Sequence, residues 1–175
     1  MIAALDVQYD ETTSRAVAAA VVFSNWDDAT PAAEYTAVVD RIQPYTPGEF
    51  FRRELPCLLA VLNRIAEPIT TLVIDGYVQL AAKPGLGQHL YDHLSGRFPI
   101  IGVAKTPFHN APTTELFRGS SKLPLYVTSV GMDPTTAASH IRHMHGPHRI
   151  STLLKRVDRI ARNGRTADPS TSSPS

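Results

Sequence analysis

The sequence predicts an α/β protein built around a mixed β-sheet. Three apolar stretches joined by short polar segments open the chain, and helical and strand-like stretches alternate after them. Short connections favour antiparallel strand neighbours, whereas strands separated by helices favour parallel ones. The 175 residues, of which 43% are hydrophobic, are enough for one domain with a substantial core.

The first three stretches predict an antiparallel meander. Residues 1–9, 15–23 and 33–39 are rich in alanine, valine and other apolar side chains, which suits strands of a sheet. The segments between them, residues 10–14 and 24–31, are short and polar. Consecutive strands can therefore pair directly with each other.

A helix is predicted over residues 47–66. Thr46 is a suitable cap, Pro47 suits the first helical position, and Glu49 completes a capping box. An apolar stripe at spacings of three and four residues then faces the core, and its members are Leu55, Leu58, Leu59, Leu62 and Ile65.

Strands and helices alternate in the rest of the chain. Apolar runs predict strands over residues 69–76, 100–104 and 123–129, with a short helix over residues 87–94. Two further helices are predicted, over residues 134–145 with Asp133 as the cap, and over residues 151–162.

This order of elements matches a ribonuclease H-like fold, in which an antiparallel meander of three strands is extended by parallel strands and flanked by helices. We expect residues 1–162 to form one folded domain. Residues 163–175 are polar and contain prolines, so we expect a disordered tail there.

Composition excludes several classes of protein. A single cysteine, Cys57, excludes an internal disulfide bond. The apolar start of the chain is interrupted by Asp6 and resembles neither a signal peptide nor a membrane span, so we expect a cytoplasmic protein. The net charge of +1 does not by itself indicate a nucleic-acid binder, although acids crowd the first quarter and arginines the last helix.

Three acidic residues occupy positions where apolar residues are expected. Asp6 interrupts the first strand, Asp75 ends the strand at residues 69–76, and Glu54 lies beside the apolar stripe of the first helix. Carboxylates at the ends of neighbouring strands point into one crevice, and three of them together favour a hard cation such as Mg²⁺. The alternatives are cap or turn roles for the two aspartates and a surface position for Glu54.

Five segments resemble the endonuclease V family in identity, order and spacing. They are residues 5–9 followed by 16–22, then 44–48, 51–56, 73–76 and 99–105, with weaker matches at 126–131 and 148–150. The resemblance implies a ribonuclease H-like nuclease that uses Mg²⁺, with Mn²⁺ as a substitute, and cuts nucleic acid near a deaminated base such as hypoxanthine.

The resemblance also assigns roles to single residues. It makes Asp6, Glu54 and Asp75 the catalytic, metal-binding acids. It adds Lys105 as a catalytic group that stabilises the scissile phosphate or helps to activate the attacking water. Six residues are expected to contact nucleic acid: Pro44, Tyr45, Pro47, Gly48, Gly76 and Arg149. Tyr45, held between prolines, would act as a wedge beside the displaced base. The expected partner is DNA or RNA, with no membrane, and the expected state is a monomer.

Three positions depart from the family pattern. Val78 stands in place of a glycine and Ala81 in place of a histidine, both in the segment that grips the base, and Met132 replaces a histidine near the last strand. The rival hypothesis is therefore a nucleic-acid-binding homologue with altered base specificity or lost catalysis. A nuclease directed at flaps or junctions is a third.

Overall fold

The meander is present as predicted. The computed structural model describes residues 1–40, 42 and 49–166. Its first strands are β1 (Ile2–Asp10), β2 (Arg15–Phe23) and β3 (Ala33–Asp40). Both neighbouring pairs are antiparallel, with β1 running from the pair of Ile2 and Phe23 to the pair of Asp10 and Arg15.

The sheet continues with parallel strands beside β1. In chain order the remaining strands are β4 (Thr71–Asp75), β5 (Gln79–Leu80), β6 (Lys83–Pro84), β7 (Ile100–Ala104), β8 (Thr114–Leu116) and β9 (Leu125–Val130). The seven-stranded sheet has the order β3-β2-β1-β4-β7-β9-β8, with β1, β4 and β7 parallel and β9 antiparallel to β7. The predicted mixed, ribonuclease H-like sheet is confirmed.

The short strands were not predicted from the sequence. The hairpin of β5 and β6 and the three-residue β8 lack the long apolar runs that mark the other strands. Their pairing depends on the adjacent segments of the protein rather than on their own composition.

The first helix is shorter than predicted. The helices are α1 (Phe50–Leu62), α2 (Leu86–His93), α3 (Pro134–His143) and α4 (Thr152–Thr166). The predicted start of α1 at Pro47 is wrong, because Glu49 has non-helical φ and ψ angles of −120° and 26° and occupies the N-cap position without a side-chain capping bond. Pro47 itself lies outside the described residues. At the other end, the amides of Arg64 and Ile65 bond to carbonyls three residues back, so α1 tightens and stops before Ala66.

The last two helices begin close to where the sequence predicts. Asp133 caps α3 by accepting hydrogen bonds from the amides of Thr135 and Thr136. Helix α4 extends to Thr166, so a disordered tail starting at residue 163 is wrong for residues 163–166. Gly164 approaches Val17 of β2 closely, which attaches the end of α4 to the sheet. Residues 167–175 lie outside the described part of the chain.

Helices cover both faces of the sheet. Alternate residues of β1 separate the two cores: Leu5 and Val7 pack with Leu58 and Val61 of α1, whereas Ala4 packs with Val157 of α4. No helix among the described residues combines the length and apolar character needed to cross a membrane.

Candidate active site

Asp6 and Asp75 lie on the adjacent central strands β1 and β4. The parallel register places Leu5 opposite Ile74, so the next residue of each strand carries one of the two acids on the same face. Asp6 is 6% exposed and accepts a hydrogen bond of 2.8 Å from the amide of Val7. The side chain of Asp75, at the end of β4, is 39% exposed.

Glu54 approaches the two aspartates from α1, on the other face of the sheet. It is 7% exposed. Burial raises the pKa of Glu54 to about 8, with further contributions from the charges of Asp6 and Asp75, while Arg53 lowers it. Burial likewise raises the pKa of Asp6 to about 7, and the charge of Asp75 adds to this. The three predicted acids therefore interact electrostatically, as their assignment to one site requires.

Arg53 places a buried positive charge next to Glu54. It is 5% exposed, forms an ion pair with Glu11, and lies over the ring of Tyr9, with the guanidinium carbon 4.0 Å from the ring centroid. A buried cation next to a buried carboxyl offsets part of the cost of ionising that carboxyl.

Lys105 brings positive charge to the acids. It follows β7 directly, and its Nζ donates to Asp75 Oδ2 at 2.6 Å. Burial lowers the pKa of Lys105, but the hydrogen bond and charge of Asp75, with the charge of Asp6, raise it overall. The ammonium group is therefore charged at neutral pH.

Asp158 is a fourth acid that the sequence reasoning missed. It lines a small recess together with Asp6, Asp75 and Lys105. The side-chain amide of Gln8 donates to Asp6 Oδ2 at 3.5 Å and to Asp158 Oδ1 at 3.4 Å, which joins the two carboxylates. The available sequence signal was an acid at the border of the apolar face of α4, within an otherwise basic segment.

The chemistry of this donor set fits a hard divalent cation. Buried carboxylates that raise one another's pKa are stabilised as anions by such an ion, and carboxylate oxygens are the ligands that Mg²⁺ prefers. Within the described residues, no three histidine, cysteine, aspartate or glutamate side chains are already grouped around one ion position. Lys105 holds Asp75, and Glu54 comes from the opposite face, so the carboxylates must turn toward one another to share an ion.

An aromatic cleft opens beside Asp75 and Lys105. Its lining includes Phe50, Phe51, Tyr77 and Phe108 together with Gly76, Leu80, Pro84, Gly85, Leu86, Ala104 and Thr106. Gly102 of β7 allows close backbone packing against the cleft residue Gly76, because a Cβ at Gly102 would lie 2.6 Å from the carbonyl oxygen of Gly76.

The family departures have different structural consequences. Val78 is 1% exposed and packs in the core, so its side chain does not narrow the cleft. Its amide donates to Thr128 Oγ1 at 2.9 Å. Ala81 lies in the turn between β5 and β6 with a positive φ of 46°. Met132 packs against the core on the α4 face, so this position supplies an apolar side chain in place of an imidazole.

The predicted nucleic-acid contacts fall in three groups. Pro44, Tyr45, Pro47 and Gly48 lie outside the described residues. Gly76 lines the aromatic cleft, and its contact with nucleic acid stays a prediction. The third group is Arg149, whose guanidinium donates to the backbone carbonyls of Lys105 and Pro124. Its prediction as a nucleic-acid contact is untested.

The sheet order, with acids on adjacent central strands, defines a ribonuclease H-like protein with an acidic site. The family model described as Endonuclease V matches residues 1–149. Endonuclease V of Streptomyces avermitilis is 35% identical over 186 aligned residues, which cover 92% of this chain and 79% of that protein. The chain therefore belongs to the endonuclease V family and is an endonuclease. The family is one of metal-dependent nucleases.

Solved structures agree with this assignment. The crystal structure of the Streptomyces avermitilis enzyme is similar with a TM-score of 0.74 at 30% identity, over 93% of this chain and 80% of that one. A Ciona intestinalis endonuclease V, in complex with DNA containing an inosine followed by a ribo-adenosine, has a TM-score of 0.74 at 18% identity, over 93% of this chain and 84% of that one. The latter likeness establishes the fold.

Proposed function

We propose that the protein is a Mg²⁺-dependent endonuclease of DNA repair that cuts a phosphodiester bond in nucleic acid near hypoxanthine or another damaged base. The observation that carries this proposal is the arrangement of Asp6 and Asp75 on adjacent strands, with Glu54 in electrostatic reach and Lys105 bonded to Asp75.

Asp6, Glu54 and Asp75 would hold the ion, and Mn²⁺ would substitute for Mg²⁺ because it also prefers oxygen ligands. When bound, the ion neutralises negative charge on the phosphate that is cut. Lys105 adds a second positive charge for a phosphate oxygen. Gln8 orients Asp6 and Asp158 through its amide, so that both carboxylates face the recess where the phosphate would enter.

The aromatic cleft is suited to a base turned out of its strand. Its aromatic side chains offer flat apolar surfaces for stacking, and it lies directly beside Asp75 and Lys105. The inosine-containing DNA bound by the Ciona intestinalis relative supports hypoxanthine as the base. Because Val78 packs in the core, its substitution for glycine leaves the cleft open. The role of Tyr45 as the wedge stays a prediction.

A basic face of α4 would bind the phosphate backbone. Lys155, Arg159 and Arg162 are exposed and are spaced by four and three residues, so they share one side of the helix. Asp158 lies three residues after Lys155 and four residues before Arg162, and it lines the recess with Asp6. A strand that enters the recess would therefore pass over this basic face.

A cleavage panel tests the proposal. Oligonucleotides with a single hypoxanthine, a single uracil or no damage, as DNA and as RNA, are incubated with the protein in Mg²⁺, in Mn²⁺ and in a chelator. We expect nicking near hypoxanthine that needs the metal and is abolished by Asp6→Asn. The matched control, Asp27→Asn, changes an exposed acid of a loop and should cut like the wild type. Absence of cleavage of all substrates by the folded protein would exclude the proposal.

A nucleic-acid-binding homologue without turnover is the second candidate. Met132 favours it, because an apolar side chain there packs against the core where the family pattern has histidine. This candidate predicts salt-dependent binding to the same oligonucleotides without cleavage in either metal.

A further inference from the structure

Arg118 is a buried arginine that binds backbone rather than a carboxylate. It is 6% exposed, and all three guanidinium nitrogens donate to main-chain carbonyls. The accepting residues follow one another at and after the end of α3: Arg142, Met144, Gly146, His148 and Arg149. Carbonyls at a helix C-terminus lack partners within the helix and carry partial negative charge, so they suit a cation.

The segment that Arg118 holds is residues 144–151, the α3–α4 connection. Gly119 fixes it from the same side, with a positive φ of 59°. A Cβ at this position would lie 2.2 Å from the carbonyl oxygen of Pro147. The connection therefore lies directly against the backbone at residues 118 and 119, and little freedom remains for it to shift.

Arg149 extends from this connection to the end of the central sheet. Its Nη2 lies 2.5 Å from the carbonyl oxygens of both Lys105 and Pro124. The first of these residues follows β7 and the second precedes β9, and the register of that pair ends with Ala104 opposite Tyr126. Arg149 thus joins the two strands where their own hydrogen-bond ladder stops.

We propose that Arg149 is a positioning residue for Lys105, and that Arg118 holds the α3–α4 connection from which Arg149 reaches it. Arg149 fixes the carbonyl of Lys105, and the side chain of Lys105 meets Asp75 at 2.6 Å. This inference rests on the proposed function of the site, in which Lys105 approaches the scissile phosphate. It gives Arg149 a role within the protein instead of a contact to nucleic acid.

The physical reason lies in the length of the lysine side chain. Four rotatable carbons give its ammonium group many positions, so the direction of the side chain depends on how firmly its own backbone is held. Ile150, next to Arg149, lines the recess with Lys105, Asp6 and Asp75. A shift of the connection would therefore disturb the recess from two sides.

A double-mutant cycle tests the proposal by comparing Arg149→Ala, Lys105→Ala and the double variant. We expect Arg149→Ala to lower kcat by roughly ten- to a hundredfold with little change in KM, the size of effect that a small misplacement produces. In the Lys105→Ala background the same change should have no further effect, because the two residues act as one unit. Arg149→Lys should fall between the wild type and Arg149→Ala, since an ammonium group can still donate to one of the carbonyls.

A second measurement does not depend on turnover. Acylation of Lys105 by acetic anhydride, followed by peptide mass spectrometry, reports how well its ammonium group is held by Asp75. Arg149→Ala should increase the labelling rate several-fold, as should Asp75→Asn. Arg142→Ala, which changes an exposed arginine near the end of α3, should leave it unchanged.

Thermal melts of each variant serve as the control that it is folded. Three outcomes would overturn the proposal: unchanged labelling of Lys105 in folded Arg149→Ala, equal loss of activity in both backgrounds, or a rise in KM at constant kcat. The last of these is what a direct contact to nucleic acid predicts. If the wild type cuts no substrate, the proposed function fails, whereas the labelling experiment still decides the role of Arg149.

Discussion

The burial of Asp6 predicts that Asp6→Asn stabilises the metal-free protein at alkaline pH. Asp6 is 6% exposed, and burial with the nearby charge of Asp75 raises its pKa from 3.8 to about 7. The folded protein therefore binds a proton at this site more tightly than the unfolded chain. The stability that the protonated Asp6 carboxyl contributes is fully present below about pH 4. It is lost as the pH rises through about 7, because the ionised carboxylate then opposes folding.

The size of the effect follows from the two pKa values. A rise from 3.8 to about 7 corresponds to about 4 kcal/mol of unfolding free energy, at about 1.4 kcal/mol per pH unit. Asparagine has nearly the same shape and can accept the hydrogen bond from the amide of Val7, but it does not ionise. For a domain of this size, the change corresponds to a Tm higher by about 10 °C.

Thermal melts in a chelator measure this directly. The Tm of Asp6→Asn should exceed that of the wild type at about pH 8.5 and should match it at about pH 4. Asp27→Asn, at an exposed position, should follow the wild type at both values. Two results would refute the conclusion that burial and the charge of Asp75 raise the pKa of Asp6. One is a Tm of Asp6→Asn equal to or below that of the wild type at the alkaline pH, and the other is the same rise in Tm at both pH values.

Four further outcomes are expected. Mg²⁺ at about a hundred times its Kd should stabilise the wild type by about 2.7 kcal/mol, and Glu54→Gln should reduce the resulting rise in Tm. Asp133→Ala should lower the Tm because α3 loses its capping acceptor, whereas Asp133→Asn, which keeps an acceptor, should not. Gly119→Ala should cost about 2–4 kcal/mol in chemical denaturation, because the left-handed backbone and a carbonyl 2.2 Å from the new Cβ both oppose it. Lys155→Ala and Arg159→Ala should each lower the slope of log affinity against log salt by about one. The affinities are measured by fluorescence anisotropy with an uncleavable oligonucleotide. A slope unchanged from the wild type would show that α4 is not part of the binding surface.

The elements with strong local patterns were the ones that the sequence predicted well. The run of apolar residues in β2 placed that strand at residues 15–23, and Asp133 followed by proline placed the start of α3. The start of α1 was predicted three residues early, because Thr46 and Pro47 form a complete capping signal, yet the backbone at Glu49 is not helical. Capping motifs describe what a segment can do alone, whereas the tertiary structure decides where the helix begins.

The acids of the site also differ in whether a local sequence pattern marks them. Asp6 and Asp75 were recognisable because a carboxylate within or at the end of an apolar strand has few structural reasons to be there. Asp158 was not, since one acid in a basic helix resembles an ordinary ion-pair partner, and it does pair with Arg162. Its place beside Asp6 depends on α4 crossing the same face of the sheet.

The amino-acid sequence by itself determined the kind of sheet, the three candidate metal-binding acids and the family. Periodicity and local composition carry that information, because each strand or helix buries its own apolar side. Tertiary structure alone decided which side chains meet across elements: Lys105 with Asp75, Gln8 with Asp158, and Arg149 with the carbonyl of Lys105. These contacts join residues 30 to 150 positions apart, and no local pattern encodes a distance that only the packing of whole elements sets.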